Sequence, residues 1–330
     1  MDVTGLIGNT PLVQIPLRPS AEGPRLWAKA EFLQPGGSVK DRAAKAIIRR
    51  ARRLGDLRPG QRVVEMSSGN MAAGLAVICN ALGHPLSIFM SRGNSPERIA
   101  QLTAFGVDLH LVEQVSGTLA HVTGDDIAAA AQAAAVHAQR TGSYYVDQFN
   151  NPGSVEAHAH GTGPEILQAL NGRVDAFLSV VGSGGTFVGV ASAFAAAGVT
   201  PRRIAVEPVG AAVLAGKPVT AAGHLLQGTG YGFVPPHWQD NLVDAYQTVT
   251  DEQAVRWRRR LATDHGLYVG YSSAANVAAA ADLAASGDLP TTANIVTILC
   301  DTGLKYAPDP TTEAATCQPP SSQPAPRSRQ

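Results

Sequence analysis

Helical runs and short apolar runs alternate along this chain from residue 40 onward, and this alternation limits its fold more than any other feature. Such apolar runs are typical of strands that are buried on both faces, pair in parallel and are joined by right-handed helical crossovers. The first series predicts helices at residues 42–54, 72–82, 95–105 and 125–140, and strands at residues 62–66, 86–90, 108–112 and 144–149.

A second series of the same kind follows Pro152. It predicts helices at residues 157–170, 186–197, 251–265 and 276–285, and strands at residues 176–181, 203–206 and 294–300; a strand at residues 26–32 precedes both series. We therefore predict an α/β protein with two doubly wound, mostly parallel sheets in one chain. In such folds, ligands bind beyond the carboxyl ends of the strands.

Three glycine-containing loops carry the candidate chemistry. They occupy residues 34–42, 67–71 and 182–186, and each opens a predicted helix, whose first backbone N–H groups favour an anion. The first loop presents Lys40 beside Ser38 and Asp41. A lysine combined with two anion cradles indicates a covalently held phosphate cofactor.

The loop at residues 182–186 reads Gly-Ser-Gly-Gly-Thr and lets the backbone approach a phosphate closely, with hydroxyl donors from Ser183 and Thr186. It lacks the lysine of the P-loop, and its glycine spacing differs from the dinucleotide fingerprint, which disfavours a nicotinamide-dependent oxidoreductase. Taken alone, the loop is as consistent with a tight strand-to-helix turn as with a phosphate site.

Charge and cysteine content argue against several other classes. The 330 residues carry 26 basic and 26 acidic side chains, so no basic field is expected to attract nucleic acid or an anionic membrane. No apolar stretch is long enough to span a bilayer and the start of the chain lacks a secretion signal, so we expect a cytoplasmic protein. The three widely spaced cysteines predict neither a disulfide framework nor a metal site. Residues 309–330, rich in Pro, Ser, Thr and Gln, are predicted to be disordered.

Seven ordered motifs resemble the fold type II pyridoxal-phosphate enzymes, and within them the cysteine synthase and cystathionine β-synthase group. The motifs lie at residues 8–12, 35–42, 68–70, 147–152, 162–166, 182–186 and 270–273. The resemblance implies the tryptophan synthase β-like architecture, in which residues 1–40 and 155–308 form a larger domain for the cofactor phosphate and residues 41–154 a smaller domain with the substrate loop. It also implies a homodimer.

The resemblance assigns a role to each candidate site residue. Lys40 would form the Schiff base with pyridoxal 5′-phosphate and later shuttle the substrate α-proton. Asn70 would hydrogen-bond the ring 3-hydroxyl, and Ser272 would face the pyridine nitrogen. The cofactor phosphate would be held by Gly182, Ser183, Gly184, Gly185 and Thr186. The carboxylate of an amino-acid substrate would be held by Ser67, Ser68, Gly69, Met71 and Gln148.

For two of these residues, the sequence is equally consistent with a purely structural role. Ser272 or Ser273 could instead cap the helix that follows, because a hydroxyl at a helix start satisfies backbone N–H groups. The Gln148 amide could instead satisfy backbone groups at the end of a strand.

The resemblance implies β-replacement on an O-activated L-serine, either O-acetylserine or O-phosphoserine, with sulfide as the nucleophile and cysteine as the product. A hydroxyl opposite the ring nitrogen makes the ring a weaker electron sink than a carboxylate would, which favours loss of a β-leaving group over racemisation or transamination.

Three departures from the family pattern concern the substrate. Met71 stands where the group has a threonine, Gly161 stands where a threonine is frequent, and the loop at residues 116–126 is longer than in plain cysteine synthases. An amine or amino-acid nucleophile, as in 2,3-diaminopropionate-type synthases, is therefore an alternative. A catalytically silent paralogue that binds the cofactor is a second one.

Overall fold

Two sheets organise the residues that the computed structural model describes, which are 2–17, 23–118, 122–221 and 223–306. Their strands are β1 Leu12–Ile15, β2 Arg25–Ala30, β3 Val63–Met66, β4 Leu86–Ser91, β5 Asp108–Val112, β6 Tyr144–Tyr145, β7 Ala176–Val180, β8 Arg202–Pro208, β9 Ala245–Val249 and β10 Asn294–Leu299. The predicted disordered tail at residues 309–330 lies outside the described residues.

Helices cover these sheets. They are α1 Lys40–Leu54, α2 Asn70–Leu82, α3 Pro96–Ala104, α4 Gly124–Thr141, α5 Gly153–Ala157, α6 Gly163–Ala169, α7 Gly185–Ala196, α8 Asp251–His265 and α9 Tyr271–Ala285. One turn of π-helix, His158–Thr162, joins α5 to α6. Among the described residues, no helix combines the length and the apolar character that crossing a bilayer requires.

The larger sheet has the strand order β1-β2-β10-β7-β8-β9, and only β1 and β2 pair antiparallel. The smaller sheet has the order β5-β4-β3-β6 and is parallel throughout. Strands β4, β7 and β10 are buried along their whole length, which is why their sequences are mostly apolar. The prediction of two doubly wound, mostly parallel sheets is confirmed.

Several predicted elements differ in extent from the observed ones. The strand predicted at residues 144–149 is only two residues long in β6, because Asp147 adopts a φ of +48° and turns the chain out of the extended conformation. The helix predicted from residue 157 begins at Gly153, and the helix predicted from residue 276 begins at Tyr271. Strand β9 was not predicted, because this edge strand is only partly buried and lacks an apolar run.

Candidate active site

Lys40 opens helix α1, and its ammonium nitrogen faces the glycine loop of the other series. Lys40 Nζ lies 3.5 Å from Ser183 Oγ, although the two residues are 143 positions apart in sequence. The side chain is half-buried, and burial lowers the pKa of Lys40 below its ordinary value, which increases the share of neutral, nucleophilic amine. The structure thus brings together the lysine and the loop that the sequence singled out.

The loop at residues 182–186 joins β7 to α7 and has the shape of an anion cradle. A Cβ atom on Gly182 would lie 2.3 Å from the carbonyl oxygen of Gly228, so only glycine allows this close backbone approach. Gly184 has a φ of +86°, which directs the chain into the first turn of α7. The N–H groups of that turn have no partners within the helix, and the hydroxyl of Thr186 stands beside them. These residues fit a phosphate group.

Asn70 is the first residue of α2 and is held by residues that follow β10. Its Nδ2 donates to Asp301 Oδ2 at 2.8 Å, and its Oδ1 accepts from Lys305 Nζ at 2.8 Å. Tyr306 donates its hydroxyl to the same Asp301 oxygen at 2.6 Å. Burial raises the pKa of Asp301, whose Oδ1 has no hydrogen-bond partner among the described residues.

Sequence reasoning gave no role to Asp301 or Lys305. The available signal was position, because Asp301 comes just after a buried strand at the carboxyl edge of the sheet.

The loop at residues 67–71 is fixed by its own hydroxyls. Ser67 Oγ accepts from the backbone N–H groups of Gly69 and Ala72, at 3.3 and 3.2 Å, and so stabilises the start of α2. Ser68 Oγ accepts from Arg98 Nη1 at 3.2 Å. Arg98, which sequence reasoning also missed, therefore lies beside the predicted substrate loop.

The backbone of Gln148 is hydrogen-bonded to Glu65, which precedes this loop by two residues. The backbone N–H of Gln148 donates to Glu65 Oε2 at 3.3 Å, and the N–H of Met66 donates to Glu65 Oε1 at 3.0 Å. Glu65 is 1% exposed, and burial raises its pKa to about 8. One buried acid thus binds the backbone of Gln148 and that of Met66, the residue just before the predicted carboxylate-binding loop.

The side chain of Met71 packs into the core, so it does not replace the hydroxyl that the family has at this position. Met71 is 2% exposed and belongs to the apolar cluster formed around α1, α2 and the smaller sheet. A thioether in this environment contributes packing, because it has no strong polar group to present. Only the backbone of Met71 remains available to a substrate.

Ser272 does not cap helix α9. The N-cap is Gly270, and the cap makes no side-chain hydrogen bond. Ser272 is 5% exposed, and its hydroxyl has no hydrogen-bond partner in the part of the chain that the structure describes. Ser273 instead accepts from the backbone N–H of Asp301 at 3.4 Å. The hydroxyl of Ser272 is therefore free to bind a ligand group.

A buried ionic network surrounds Arg42, which lies in the first turn of α1 beside Lys40. Arg42 donates to Glu31 through Nε at 2.7 Å and to Glu165 through Nη1 at 2.7 Å. Lys29 also binds Glu165, at 2.6 Å, and Thr10 Oγ1 bonds to both Glu31 and Arg42. Hydrogen bonds from Arg42 and Lys29 outweigh desolvation and lower the pKa of Glu165 to about 2. Motifs spread from residue 8 to residue 166 thus meet around the first turn of α1, which carries Lys40.

A lysine amine beside a glycine-built anion cradle, at the carboxyl ends of parallel strands, is the arrangement expected of an enzyme that uses pyridoxal phosphate. Sequence comparison agrees, since the family model described as pyridoxal-phosphate dependent enzyme matches residues 3–301. The chain belongs to this family and, within it, to the cysteine synthase and cystathionine β-synthase group.

Individual relatives cover almost the whole chain. A cysteine synthase from Staphylococcus aureus is 34% identical over 313 residues, which are 94% of this chain and 96% of that protein. The crystal structure of an O-ureido-L-serine synthase superposes with a TM-score of 0.86 and 30% identity, covering 97% of both chains. A cysteine synthase from Entamoeba histolytica gives a TM-score of 0.84 and 30% identity, over 92% of this chain and 88% of that one. The predicted fold type and cofactor are confirmed.

Proposed function

We propose that this protein catalyses β-replacement on O-acetyl-L-serine with sulfide, giving L-cysteine. The observation that carries the proposal is the approach of Lys40 Nζ to Ser183 Oγ at 3.5 Å, which sets the reactive amine against the phosphate cradle. The names of the relatives support the reaction, because two of those described are cysteine synthases and the third makes a serine bearing a β-substituent.

Each site residue has a distinct task in this proposal. The cofactor phosphate is held by the backbone of residues 182–186 with the hydroxyls of Ser183 and Thr186, the ring 3-hydroxyl by Asn70, and the ring nitrogen by Ser272. When bound, pyridoxal phosphate supplies a conjugated ring that delocalises the electrons left by the substrate α-proton.

Lys40 is the base that removes this proton and returns it. Its half-buried position holds the amine with a lowered pKa, as a base at neutral pH requires. Ser272 offers a hydroxyl and no negative charge, so the pyridine nitrogen is not held protonated. Loss of the β-substituent is therefore favoured over racemisation and transamination. Backbone N–H groups of residues 67–71 bind the substrate carboxylate, with help from the Gln148 amide.

Replacing Lys40 tests the proposal. The parent protein should be yellow with bound cofactor, and borohydride should fix the cofactor mass on the peptide that contains Lys40. Lys40→Ala should lose the colour and sulfide-dependent turnover of O-acetylserine, whereas Lys217→Ala, at an exposed lysine, should keep both. An alanine variant that retains the colour and turnover of the parent would refute the assignment.

A second candidate reaction uses an amine or an amino acid as the nucleophile. It is favoured by Arg98, whose guanidinium donates to the neutral oxygens of Ser68 at 3.2 Å, of Asn94 and of Gln227. Its charge is not paired with a carboxylate among the described residues, so it could attract an anionic group of a second substrate. Parallel assays of O-acetylserine and O-phosphoserine with sulfide, ammonia, glutamate and homocysteine separate the two reactions. Turnover with glutamate and none with sulfide would replace the first candidate by the second.

The domain division and the homodimer are further proposals. Strands of the larger sheet come from residues 12–30 and 176–299 and those of the smaller sheet from residues 63–145, which supports the division into residues 1–40 with 155–308 and residues 41–154. Light scattering on the purified protein tests the homodimer. The cytoplasmic location remains a prediction from the sequence.

A further inference from the structure

His158 links two threonine hydroxyls behind the phosphate cradle. His158 Nε2 lies 3.2 Å from Thr186 Oγ1, and His158 Nδ1 lies 2.8 Å from Thr162 Oγ1. His158 is 2% exposed and Thr162 is fully buried, whereas Thr186 is half-buried at the start of α7. The imidazole therefore reaches the cradle only through the Thr186 hydroxyl.

The π-turn at His158–Thr162 places the ring in this position. Its wider turn interrupts the helix formed by α5 and α6, and such turns are frequent at functional sites. Helix α7 packs directly against the turn, since a Cβ atom on Gly189 would lie 2.5 Å from the carbonyl oxygen of Val155 and 2.7 Å from His158 Cβ. The close packing fixes the imidazole below the first turn of α7.

The direction of these hydrogen bonds follows from counting protons. A threonine hydroxyl has one proton to donate, and phosphate oxygens that carry no proton can only accept. If Thr186 donated its proton to His158, an oxygen lone pair would face the phosphate and repel it. Thr186 can donate to the phosphate only when His158 Nε2 carries a proton and donates it to Thr186 Oγ1.

We propose that His158 is a positioning residue, a neutral imidazole that directs the hydroxyl proton of Thr186 toward the cofactor phosphate and is itself oriented by Thr162. This inference rests on the proposed function, because it takes the phosphate to lie on residues 182–186. The proton order is Thr162 Oγ1–H to His158 Nδ1, His158 Nε2–H to Thr186 Oγ1, and Thr186 Oγ1–H to phosphate.

The surroundings of His158 keep it neutral. Burial holds the pKa of His158 well below its ordinary value, and the positive charge of Arg42 acts in the same direction. Glu165 acts in the opposite direction, but its carboxylate is bound by Arg42 and Lys29. A neutral imidazole carries a proton on only one of its two nitrogens, and the inference requires that nitrogen to be Nε2.

Nitrogen NMR of the holoenzyme labelled with ¹⁵N-histidine reads that tautomer directly. The chain has nine histidines, and the signals of His158 are those lost in His158→Gln. We expect a neutral ring protonated at Nε2 and bare at Nδ1. A charged ring, or a ring protonated at Nδ1, would overturn the inference.

Binding of the cofactor with and without its phosphate separates this role from general damage to the fold. We expect His158→Leu to raise the dissociation constant of pyridoxal phosphate about tenfold, which corresponds to ~1.4 kcal/mol, and to leave the affinity for pyridoxal unchanged. His158→Gln, whose amide N–H can replace Nε2–H, should retain most of the affinity for pyridoxal phosphate. Thr162→Val should weaken binding less than His158→Leu does.

The outcomes also separate this inference from the proposed function. If the parent protein binds no pyridoxal phosphate, both fail. If the parent binds it through Lys40 while His158→Leu binds it equally well, only the role of His158 is refuted. The same holds if His158→Leu weakens pyridoxal and pyridoxal phosphate alike.

Discussion

Removing the Arg42 guanidinium should destabilise the protein more than the loss of any surface ion pair. Arg42 is 5% exposed and lies against Glu31, which is fully buried, and Glu165. In Arg42→Met the volume is nearly kept, but Glu31 loses its only cationic partner among the described residues and keeps the neutral donors Thr10 and Gln34. Glu165 retains Lys29.

The magnitude follows from this uneven loss. Deleting one partner of a buried ion pair costs about 3–5 kcal/mol, because the remaining charge is buried without compensation. Since Glu165 keeps a cation and Glu31 does not, we expect a loss of about 3 kcal/mol in the free energy of unfolding. Arg42→Lys should lose less, because an ammonium keeps the charge but cannot reproduce the forked contacts of a guanidinium to two carboxylates.

Urea unfolding monitored by circular dichroism measures this loss, and Arg62→Ala is the matched control. Arg62 pairs with Asp108 at 2.9 Å, but both side chains are more than a third exposed, so this variant should lose no more than about 1 kcal/mol. Because Arg42 lies in the first turn of α1, its replacement should also weaken the visible absorbance of the cofactor that we propose at Lys40. If Arg42→Met unfolds within the range of Arg62→Ala, the supporting role of the network is refuted.

Three further predictions concern buried groups of the site. The pKa of Glu65 is raised from its ordinary 4.5 to about 8, so the stabilisation that its protonated form contributes is complete below pH 4.5 and is lost as the pH rises through about 8. Glu65→Gln should flatten the pH profile of unfolding in that window, and an unchanged slope would contradict the assignment. Asp301→Ala should raise the dissociation constant of pyridoxal phosphate about tenfold, because Asn70 loses the carboxylate that orients it. Tyr306→Phe should have a smaller effect. If Asp301→Ala and the parent have equal affinities in a cofactor titration, this positioning role is refuted. Met71→Thr should lower the free energy of unfolding by about 1–3 kcal/mol, since it buries an unpaired hydroxyl and leaves space in the core. Unchanged stability in a urea titration, together with tighter substrate binding, would mean that this side chain faces the substrate.

Local sequence patterns predicted most of the fold because the deciding features were local. The runs that became β4, β7 and β10 are buried on both faces, and burial of that kind favours sequence that is mostly apolar. The predictions were wrong where backbone geometry, which residue composition does not reveal, determined the structure. Asp147 leaves the extended conformation, β9 lies at a sheet edge, and the π-turn at His158–Thr162 resembles ordinary helix in its residues.

The sequence by itself determined the α/β class, the lysine on the first turn of α1 and the glycine loop before α7, because each is specified by residues that are neighbours in the chain. Tertiary structure alone decided which distant residues meet at them. Asp301 reaches Asn70 across 231 positions and His158 reaches Thr186 across 28, since strand order and crossovers set these distances and no local pattern encodes them. Burial likewise became visible only in the packed fold, where the side chain of Met71 is part of the core although its backbone belongs to the predicted substrate loop.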